Sequence, residues 1–542
     1  MPERILLGDE SVALGAVHAG VTCAYGYPGT PATEITQFLI DHEKKHGRPH
    51  AAWCANEKTA YEAALGTCFV GRRALVSMKH VGLNVAADPF MNSALVAVHG
   101  GLVLAVADDP GMHSSQNEQD SRYYAEFARV ICLEPATQQE AYDMTREAFD
   151  LSERFCVSVM VRLVTRLAHS RTAVELREAR AENEIRKAPE RTSWILLPGN
   201  ARRQWKGLLD RQRDLLAWSE SSAHNRLTLN PDRRDLGLIT TGIARNYYRE
   251  NLAELGWEPS HLHLGAYPVP VALVRQLAAH VRRVLVLEDG YPYVERMLRG
   301  LLPPGLEIGG RLSGEVPAAG ELSPDVVRAS LGLPARSALA LEGLTLPNRP
   351  PQLCQGCPHG HAYHALKEAL GDPDATMVTS DIGCYTLGAL APYSAIESCV
   401  CMGASVGMAK GAADAGYHPV IAVIGDSTFL HSGITPLMDA VAANTNMTLL
   451  ILDNQAVAMT GGQEPIVPSS RLHDIILGLG VPAEHCHVVD AHPRQVKKTA
   501  ELLRREIAYE GLSVVIAARE CKEVVLRKAR AAALAQAQEA AR

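Results

Sequence analysis

Short, continuous apolar runs recur along the chain, separated by helix-length stretches rich in small or amphipathic residues. Val21–Tyr25 leads into the turn Gly26-Tyr27-Pro28-Gly29-Thr30-Pro31 and then a helical pattern, and Ala74–Ser77, Leu102–Ala107 and Val157–Val161 repeat the theme. Strands covered on both faces read as unbroken apolar runs, and strands alternating with helices make βαβ units and a parallel sheet. A first α/β block therefore occupies 1–175. Residues 176–235 crowd Arg and Glu (ELREARAENEIRKAPER), then show helical spacing after Pro198 without strand signals, which predicts a solvated helical connector. A second α/β block, 236–335, carries strands at Leu236–Gly242 and Val284–Asp289, and an Ala/Leu/Pro-rich linker covers 336–351. The third block, 352–521, has strands at Val420–Ile424, Thr448–Leu452 and Ser513–Ala517. Residues 522–542 are alanine-rich without a core-sized apolar face, which predicts a frayed helix or a disordered tail. The fold class is α/β: a multidomain arrangement of doubly wound parallel sheets with sites between domains.

Composition narrows this picture. At 542 residues the chain exceeds one core, and roughly 150 residues per domain gives three or four domains. A net charge of −7 offers no reason to expect nucleic acid or an anionic membrane as partner. The opening MPERILLGDESVALGA lacks a basic segment followed by an apolar one, so no signal peptide is read. The least polar stretch, Ser93–Ala107, is interrupted by His99, Gly100 and Gly101, too short to span a membrane and better suited to buried parallel strands. A cytoplasmic location is expected. In that reducing setting twelve cysteines are packed as small hydrophobes or hold a metal, rather than forming a disulfide framework.

The sharpest chemical signal is PVIAVIGDS followed by MTLLILDN. Asp426 ends one buried strand at Gly425-Asp426-Ser427, and Asp453-Asn454 ends the next. Ligands bind outside the carboxyl ends of parallel strands, so Asp426 and Asn454 converge on one crevice. An Asp carboxylate, an Asn amide oxygen and a backbone carbonyl, assigned to Ala456, suit a hard cation bridging two phosphates. Paired in this way, the motif resembles the thiamine-diphosphate signature of the transketolase and pyruvate-oxidoreductase superfamily, with Ser427 where Gly is common. That cofactor needs a carboxylate against its pyrimidine ring, and Glu57 in WCANEKTAYEAALG is the candidate, although an acid favoured at a helix N-terminus would read the same way.

Flanking segments sharpen the branch. YGYPGTPATEI, NEKTAYEAALG, KHVGLNVAADP, DDPGMHSSQNEQDSR, CPHGHAYHAL, DIGCYTLG, CMGASVGMAKG, GDSTFLHSGI and AMTGGQ, in this order, resemble the alpha subunit of indolepyruvate ferredoxin oxidoreductases over about residues 5–520. The resemblance implies a thiamine-diphosphate-binding fold with Mg²⁺. It also implies oxidative decarboxylation of an arylpyruvate to the acyl-CoA, with coenzyme A as co-substrate and ferredoxin, an iron–sulfur protein, as acceptor. It places Thr30 near the substrate carboxylate and Glu57 at the pyrimidine, and lines the cofactor with Cys401, Met402 and Gly403. Met459 and Thr460 of AMTGGQ would also reach it, and His80 and His431 would face the site. His113, His359 and His361 read equally well as exposed or hydrogen-bonded loop histidines.

Cys354 and Cys357 form a CxxC, Cys384 follows in DIGCYT, and Cys521 ends the last strand. A zinc site or buried free thiols would explain CxxC alone. Related 2-oxoacid oxidoreductases place cysteines at similar points around one [4Fe–4S] cluster, which four thiolates suit. The remaining cysteines, Cys23, Cys54, Cys68, Cys132, Cys156, Cys399, Cys401 and Cys486, are expected in the core. The family's alpha subunit continues into a ferredoxin-like domain with C-x₂-C-x₂-C-x₃-C-P spacing, whereas no cysteine follows Cys521 here. A second, beta- or gamma-type subunit in a hetero-oligomer built on a homodimer is therefore expected to take the electrons. Two other readings stand beside this one: a non-redox thiamine-dependent 2-oxoacid decarboxylase or carboligase, and a catalytically silent assembly subunit.

Overall fold

The computed structural model describes residues 2–186, 191–302, 305–337, 352–371 and 376–540. The chain divides into two compact units, Met1–Ala340 and Leu341–Arg542. Most of the expected 336–351 linker lies outside the described residues.

Strands in the first unit are β1 (Glu3–Leu7), β2 (Cys23–Gly26), β3 (His50–Trp53), β4 (Ala74–Lys79), β5 (Leu102–Asp108), β6 (Ile131–Leu133), β7 (Val159–Val164), β8 (Arg171–Glu175), β9 (Arg226–Thr228), β10 (Gly237–Thr241), β11 (Ser260–Leu264), β12 (Ala266–Tyr267), β13 (Arg283–Leu287) and β14 (Glu307–Gly309). A seven-stranded sheet runs β12-β6-β7-β5-β4-β2-β3, and a five-stranded one runs β14-β13-β10-β11-β9. Strands β4, β5 and β7 at the middle of the larger sheet are buried along their whole length, as two-sided helical cover requires.

Three departures from the sequence expectation concern pairing. The segment from Ser93 holds one strand rather than several: Ala87–Ser93 is helical, and only β5 is extended. The connector is not purely helical, because the helix Pro198–Ser221 is followed by β9, which pairs antiparallel with β11. Strand β12 belongs by sequence to the second α/β block but pairs antiparallel with β6 at the edge of the first sheet. That strand stitches the two α/β layers of this unit together.

A buried ionic cluster reinforces the stitching. Arg162 contacts Asp108 at 2.6 Å and Glu134 at 2.5 Å, while Arg122 contacts Asp120 at 2.5 Å and Glu288 at 3.0 Å. Arg162 also donates to the Asp289 carbonyl at 3.0 Å, linking β7 to the loop after β13. Acidic groups outnumber the two guanidinium groups, and burial raises the pKa of Glu288 and pushes that of Asp289 up to about 6.

The second unit holds one parallel sheet, β15 (Met377–Ser380), β16 (Val420–Gly425), β17 (Met447–Asp453), β18 (Cys486–Asp490) and β19 (Leu512–Ala518), in the order β15-β16-β17-β19-β18. Helices on both faces close two apolar clusters, one around Tyr363, Val423 and Leu503 and the other around Phe429, Ile451 and Ile476. The tail forms a helix, Lys522–Ala540, exposed along most of its length. Among the described residues no helix is long and apolar enough to cross a membrane.

Candidate active site

Strands β16 and β17 are adjacent and parallel, with Gly425 opposite Leu452, so both release their motif residues at the same sheet edge. Asp426 and Asn454 are each 5% exposed there. The Gln455 N–H donates to Asp426 Oδ2 at 3.0 Å, and the Ala456 N–H donates to Asn454 Oδ1 at 3.2 Å. Gln455 takes a φ of 59°, a left-handed turn that brings the two donors back onto the motif. Burial, and then the neighbouring Asp453 carboxylate, hold the Asp426 pKa well above the usual carboxylate range. Asp453 itself is turned to structure: its Oδ1 accepts from Ser469 Oγ at 2.6 Å. Ser427 Oγ is buried and unpartnered among the described residues. Carboxylate, amide and hydroxyl oxygens gathered at one strand edge fit a hard divalent cation and an oxyanion.

The helix that starts at Asp426 opens into a π-type turn at Phe429–Gly433 and resumes at Ile434–Ala442. That turn buries His431, whose Nδ1 lies 2.5 Å from Ser432 Oγ. Gly403 seats the preceding loop against it: φ is +85°, and a Cβ there would lie 2.5 Å from Ser432 Cβ. Asp381 fixes the far side of the same loop by accepting from the Ser405 N–H at 3.0 Å and from the Tyr385 hydroxyl. Met402 is half-buried, whereas Cys401 is exposed. Cys399 and Cys401 are therefore not core residues, contrary to expectation, because the segment from Leu390 to Met402 has no strand or helix to carry them inward. Among the other cysteines expected in the core, Cys23, Cys54 and Cys156 are only half-buried, while Cys68, Cys132 and Cys486 are buried. Met459 is exposed, and the Thr460 hydroxyl bonds within its own loop to Gln463 Oε1 at 2.7 Å.

Cys354, Cys357, Cys384 and Cys521 all line one cavity of about 390 Å³, together with Asn454 and His359. The CxxC closes through the Cys357 N–H donating to the Cys354 carbonyl at 2.9 Å. Cys521 is anchored to the motif itself, its N–H donating to the Asn454 carbonyl at 2.9 Å. Burial, and then Cys357, Cys521 and Cys354, push the Cys384 thiol up to about 12. No three of these sulfurs gather within 4.8 Å of one another among the described residues.

In the first unit the turn after β2 contains a cis Thr30–Pro31 bond, with Thr30 half-buried and the Gly29 N–H donating to Thr33 Oγ1 at 3.0 Å. Glu57 is the first residue of the helix Glu57–Phe69, which Asn56 caps by accepting from the Thr59 N–H at 2.9 Å. The Glu57 side chain is buried against Gly82 in the short helix His80–Val85. A Cβ on Gly82 would lie 2.4 Å from Glu57 Oε1, so only glycine admits the carboxylate there. This pairing brings NEKTAYEAALG and KHVGLNVAADP side by side, and a glycine interrupting the KHVGLN helix was its only local signal. His80 is buried next to them, with Nε2 3.2 Å from the Asn117 carbonyl, and burial lowers its pKa. His113 is half exposed beside Glu321, and His361 is partly buried.

Comparison with known proteins matches these two regions separately. Residues 14–199 match the family "Pyruvate flavodoxin/ferredoxin oxidoreductase, thiamine diP-bdg", and residues 381–517 match "Thiamine pyrophosphate enzyme, C-terminal TPP binding domain". A 2-oxoglutarate:ferredoxin oxidoreductase from Magnetococcus marinus, solved with 2-oxoglutarate, coenzyme A and succinyl-CoA, shares the fold at a TM-score of 0.50 and 17% identity, over 61% of this chain and 65% of that one. The indolepyruvate oxidoreductase subunit IorA of Archaeoglobus fulgidus is 37% identical over 95% of this chain and 86% of its own length. The Methanothermobacter marburgensis protein of the same name is 38% identical, again over 95% of this chain and 86% of its own length. Such similarity along nearly the whole sequence, with the thiamine motifs in place, means that the chain belongs to the IorA family of indolepyruvate oxidoreductase subunits.

Proposed function

We propose that this chain is the catalytic subunit of a thiamine-diphosphate-dependent oxidoreductase that converts an arylpyruvate and coenzyme A to the acyl-CoA. Its electrons pass through one [4Fe–4S] cluster to a partner subunit and an acceptor such as ferredoxin. The supporting observation is that Asn454, a motif residue, lines the same cavity as all four candidate cysteines. A group held by Asn454 and a cluster held by Cys354, Cys357, Cys384 and Cys521 would be immediate neighbours.

When bound, thiamine diphosphate supplies the carbanion stabilisation that decarboxylation of a 2-oxoacid requires. Asp426, Asn454 and the Ala456 carbonyl would hold Mg²⁺, and Ser427 Oγ would donate to a phosphate oxygen. Glu57 would hold a proton at its carboxylate against the pyrimidine nitrogen, kept in place by Gly82 and the Asn56 cap. Thr30 would meet the substrate carboxylate, and buried His80 would act as a neutral donor or acceptor. His431 would act beside the cofactor, and Cys401, Met402, Gly403, Met459 and Thr460 would border it. The domain reading follows: 1–175 for the pyrimidine half, 352–521 for the diphosphate half, and the block between them as a transketolase C-terminal-like layer. We place the protein in the cytoplasm, as part of a hetero-oligomer built on a homodimer.

Anaerobically prepared enzyme should contain about four irons per chain, the content of one cluster, and should reduce a viologen dye when given an arylpyruvate and coenzyme A. Iron-free protein that still decarboxylates the 2-oxoacid would sink the redox assignment and favour the non-redox decarboxylase or carboligase.

A further inference from the structure

Strands β1 and β8 pair antiparallel, with Leu7 opposite Arg171. Asp9 and His169 each lie two residues beyond that pair, so the register brings them side by side. Gly8 lets the two segments close up: a Cβ there would lie 2.3 Å from the Leu167 carbonyl oxygen. Glu34, in the first turn of the helix Thr33–His46, completes a trio. One carboxylate oxygen of Asp9, one of Glu34 and one ring nitrogen of His169 all lie within 4.8 Å of one another. The helix dipole favours an acid in a first turn, but that does not account for Asp9. Asp9 is fully buried, and the cap of its own helix comes from Glu10, whose Oε2 accepts from the Leu7 N–H at 2.9 Å. Among the described residues neither Asp9 carboxylate oxygen has a hydrogen-bond partner, and neither does Glu34 Oε2.

Two carboxylates that face each other away from water need a shared proton or a cation between them. His169 Nε2 lies 3.5 Å from Glu34 Oε2. That is longer than the roughly 2.7–2.9 Å of a charge-assisted hydrogen bond. It is close to the roughly 3.4 Å that separates two ligand atoms on a tetrahedral zinc with bonds of about 2.0–2.2 Å. We propose that Asp9, Glu34 and His169 bind a divalent transition-metal cation of the zinc class, with water in the fourth position. The imidazole selects such an ion over Mg²⁺, which prefers oxygen ligands throughout. Glu34 is partly exposed and His169 exposed, so the ion has a path in from solvent. Bound there, it would pin the starts of the helices Gly8–His18 and Thr33–His46 to the end of Thr165–His169. The site lies outside the thiamine motifs and does not rest on the function proposed above.

The test uses the full chain, stripped with a chelator and equilibrated with Zn²⁺ in excess Mg²⁺, and compares the wild type with Asp9→Asn and His169→Gln. His169 is exposed, so its replacement leaves the core untouched and serves even where Asp9→Asn perturbs folding. By metal analysis the wild type should hold one more zinc per chain than either variant. X-ray absorption at the zinc edge should assign that additional ion oxygen and nitrogen ligands at about 2.0–2.2 Å, without sulfur, which separates it from zinc taken up by the cysteines. Zn²⁺ should raise the melting temperature of the wild type and leave that of His169→Gln unchanged, since a ligand stabilises only the folded state that binds it. Equal zinc in the wild type and His169→Gln, sulfur around the additional ion, or a wild-type melting temperature that does not respond to Zn²⁺ would each overturn the site. Asp9 and Glu34 would then be joined by a shared proton instead.

Discussion

Replacing Gly82 by alanine should disable Glu57 without touching it. The added Cβ would stand 2.4 Å from Glu57 Oε1, 2.7 Å from Cγ and 2.8 Å from Cδ, whereas ordinary contact begins near 3.4 Å. The carboxylate must retreat by about 1 Å, and a displacement of that size at a reacting group costs up to about a hundredfold in rate. That corresponds to about 2.7 kcal/mol of lost transition-state stabilisation. The loss should fall on kcat, because the proposed magnesium and diphosphate ligands sit in the other unit and keep their geometry. Gly66 provides the control: it lies in the same helix as Glu57, and a methyl group added there would meet nothing within 4 Å, so Gly66→Ala should leave activity intact and add about 0.5–1 kcal/mol of helix stability. The assay is arylpyruvate-dependent dye reduction by the assembled anaerobic enzyme, with thiamine diphosphate affinity measured alongside. A Gly82→Ala enzyme within about twofold of wild type in kcat would refute the placement of Glu57 at the reacting centre.

Glu57→Gln should cost about 10²–10⁴-fold in turnover, the range for removing a positioned acid–base group, while diphosphate and Mg²⁺ binding persist; equal loss of both would point to a structural role. Cys384→Ser should lower the iron content measured by chemical analysis, whereas Cys399→Ser, at an exposed position outside the cavity, should not. Arg162→Met leaves Asp108, Asp120 and Glu134 facing one another in a buried site and should destabilise the first unit by about 3–5 kcal/mol in denaturant titration. Asp289 has a folded pKa of about 6, above its ordinary value, so the stability linked to its proton is present below the ordinary range and is lost as pH rises through 6. Asp289→Asn keeps an acceptor for the Leu322 N–H, and should exceed wild type by about 3 kcal/mol above pH 7 and converge with it in acid; parallel melting profiles from pH 5 to 8 would contradict this.

Most of what the sequence disclosed was local. Val420–Ile424 and Thr448–Leu452 announce buried strands by composition, and the strands they became differ by a residue or so at each end. Asp426 and Asn454 could be placed at one sheet edge because parallel neighbours end together. What stayed hidden depends on pairing across the fold. Strand β12 is two residues long, and nothing in Ala266–Tyr267 reveals that it will add to the far sheet beside Leu133 and Cys132. The run through Cys399 and Cys401 looked core-like because it holds cysteine and valine, yet Val400 is 60% exposed where no regular element supports it. His359 looked like one more loop histidine, since its burial arises only when the helix it opens packs beneath Tyr385.

The same tertiary logic explains why the motif and the cysteines belong to one device. Asn454 has two separate backbone tasks: its side-chain oxygen takes the Ala456 N–H, and its carbonyl takes the Cys521 N–H. Residue 521 follows β19, which lies directly beside β17 in the sheet, so the register of one strand pair sets both the motif turn and the fourth thiol. Cys384 enters from the end of β15, on the other side of β16, and the CxxC comes from the loop before the helix Pro358–Leu370. Three strand ends and one helix start therefore meet at the carboxyl edge of a single parallel sheet, the edge at which such sheets bind ligands. A shift of one residue in the β17–β19 register would move Cys521 away from Asn454 and reverse the faces of the alternating side chains. On the proposed cluster assignment, electron transfer away from the thiamine site would depend on strand pairing as directly as on the residues that touch the cofactor.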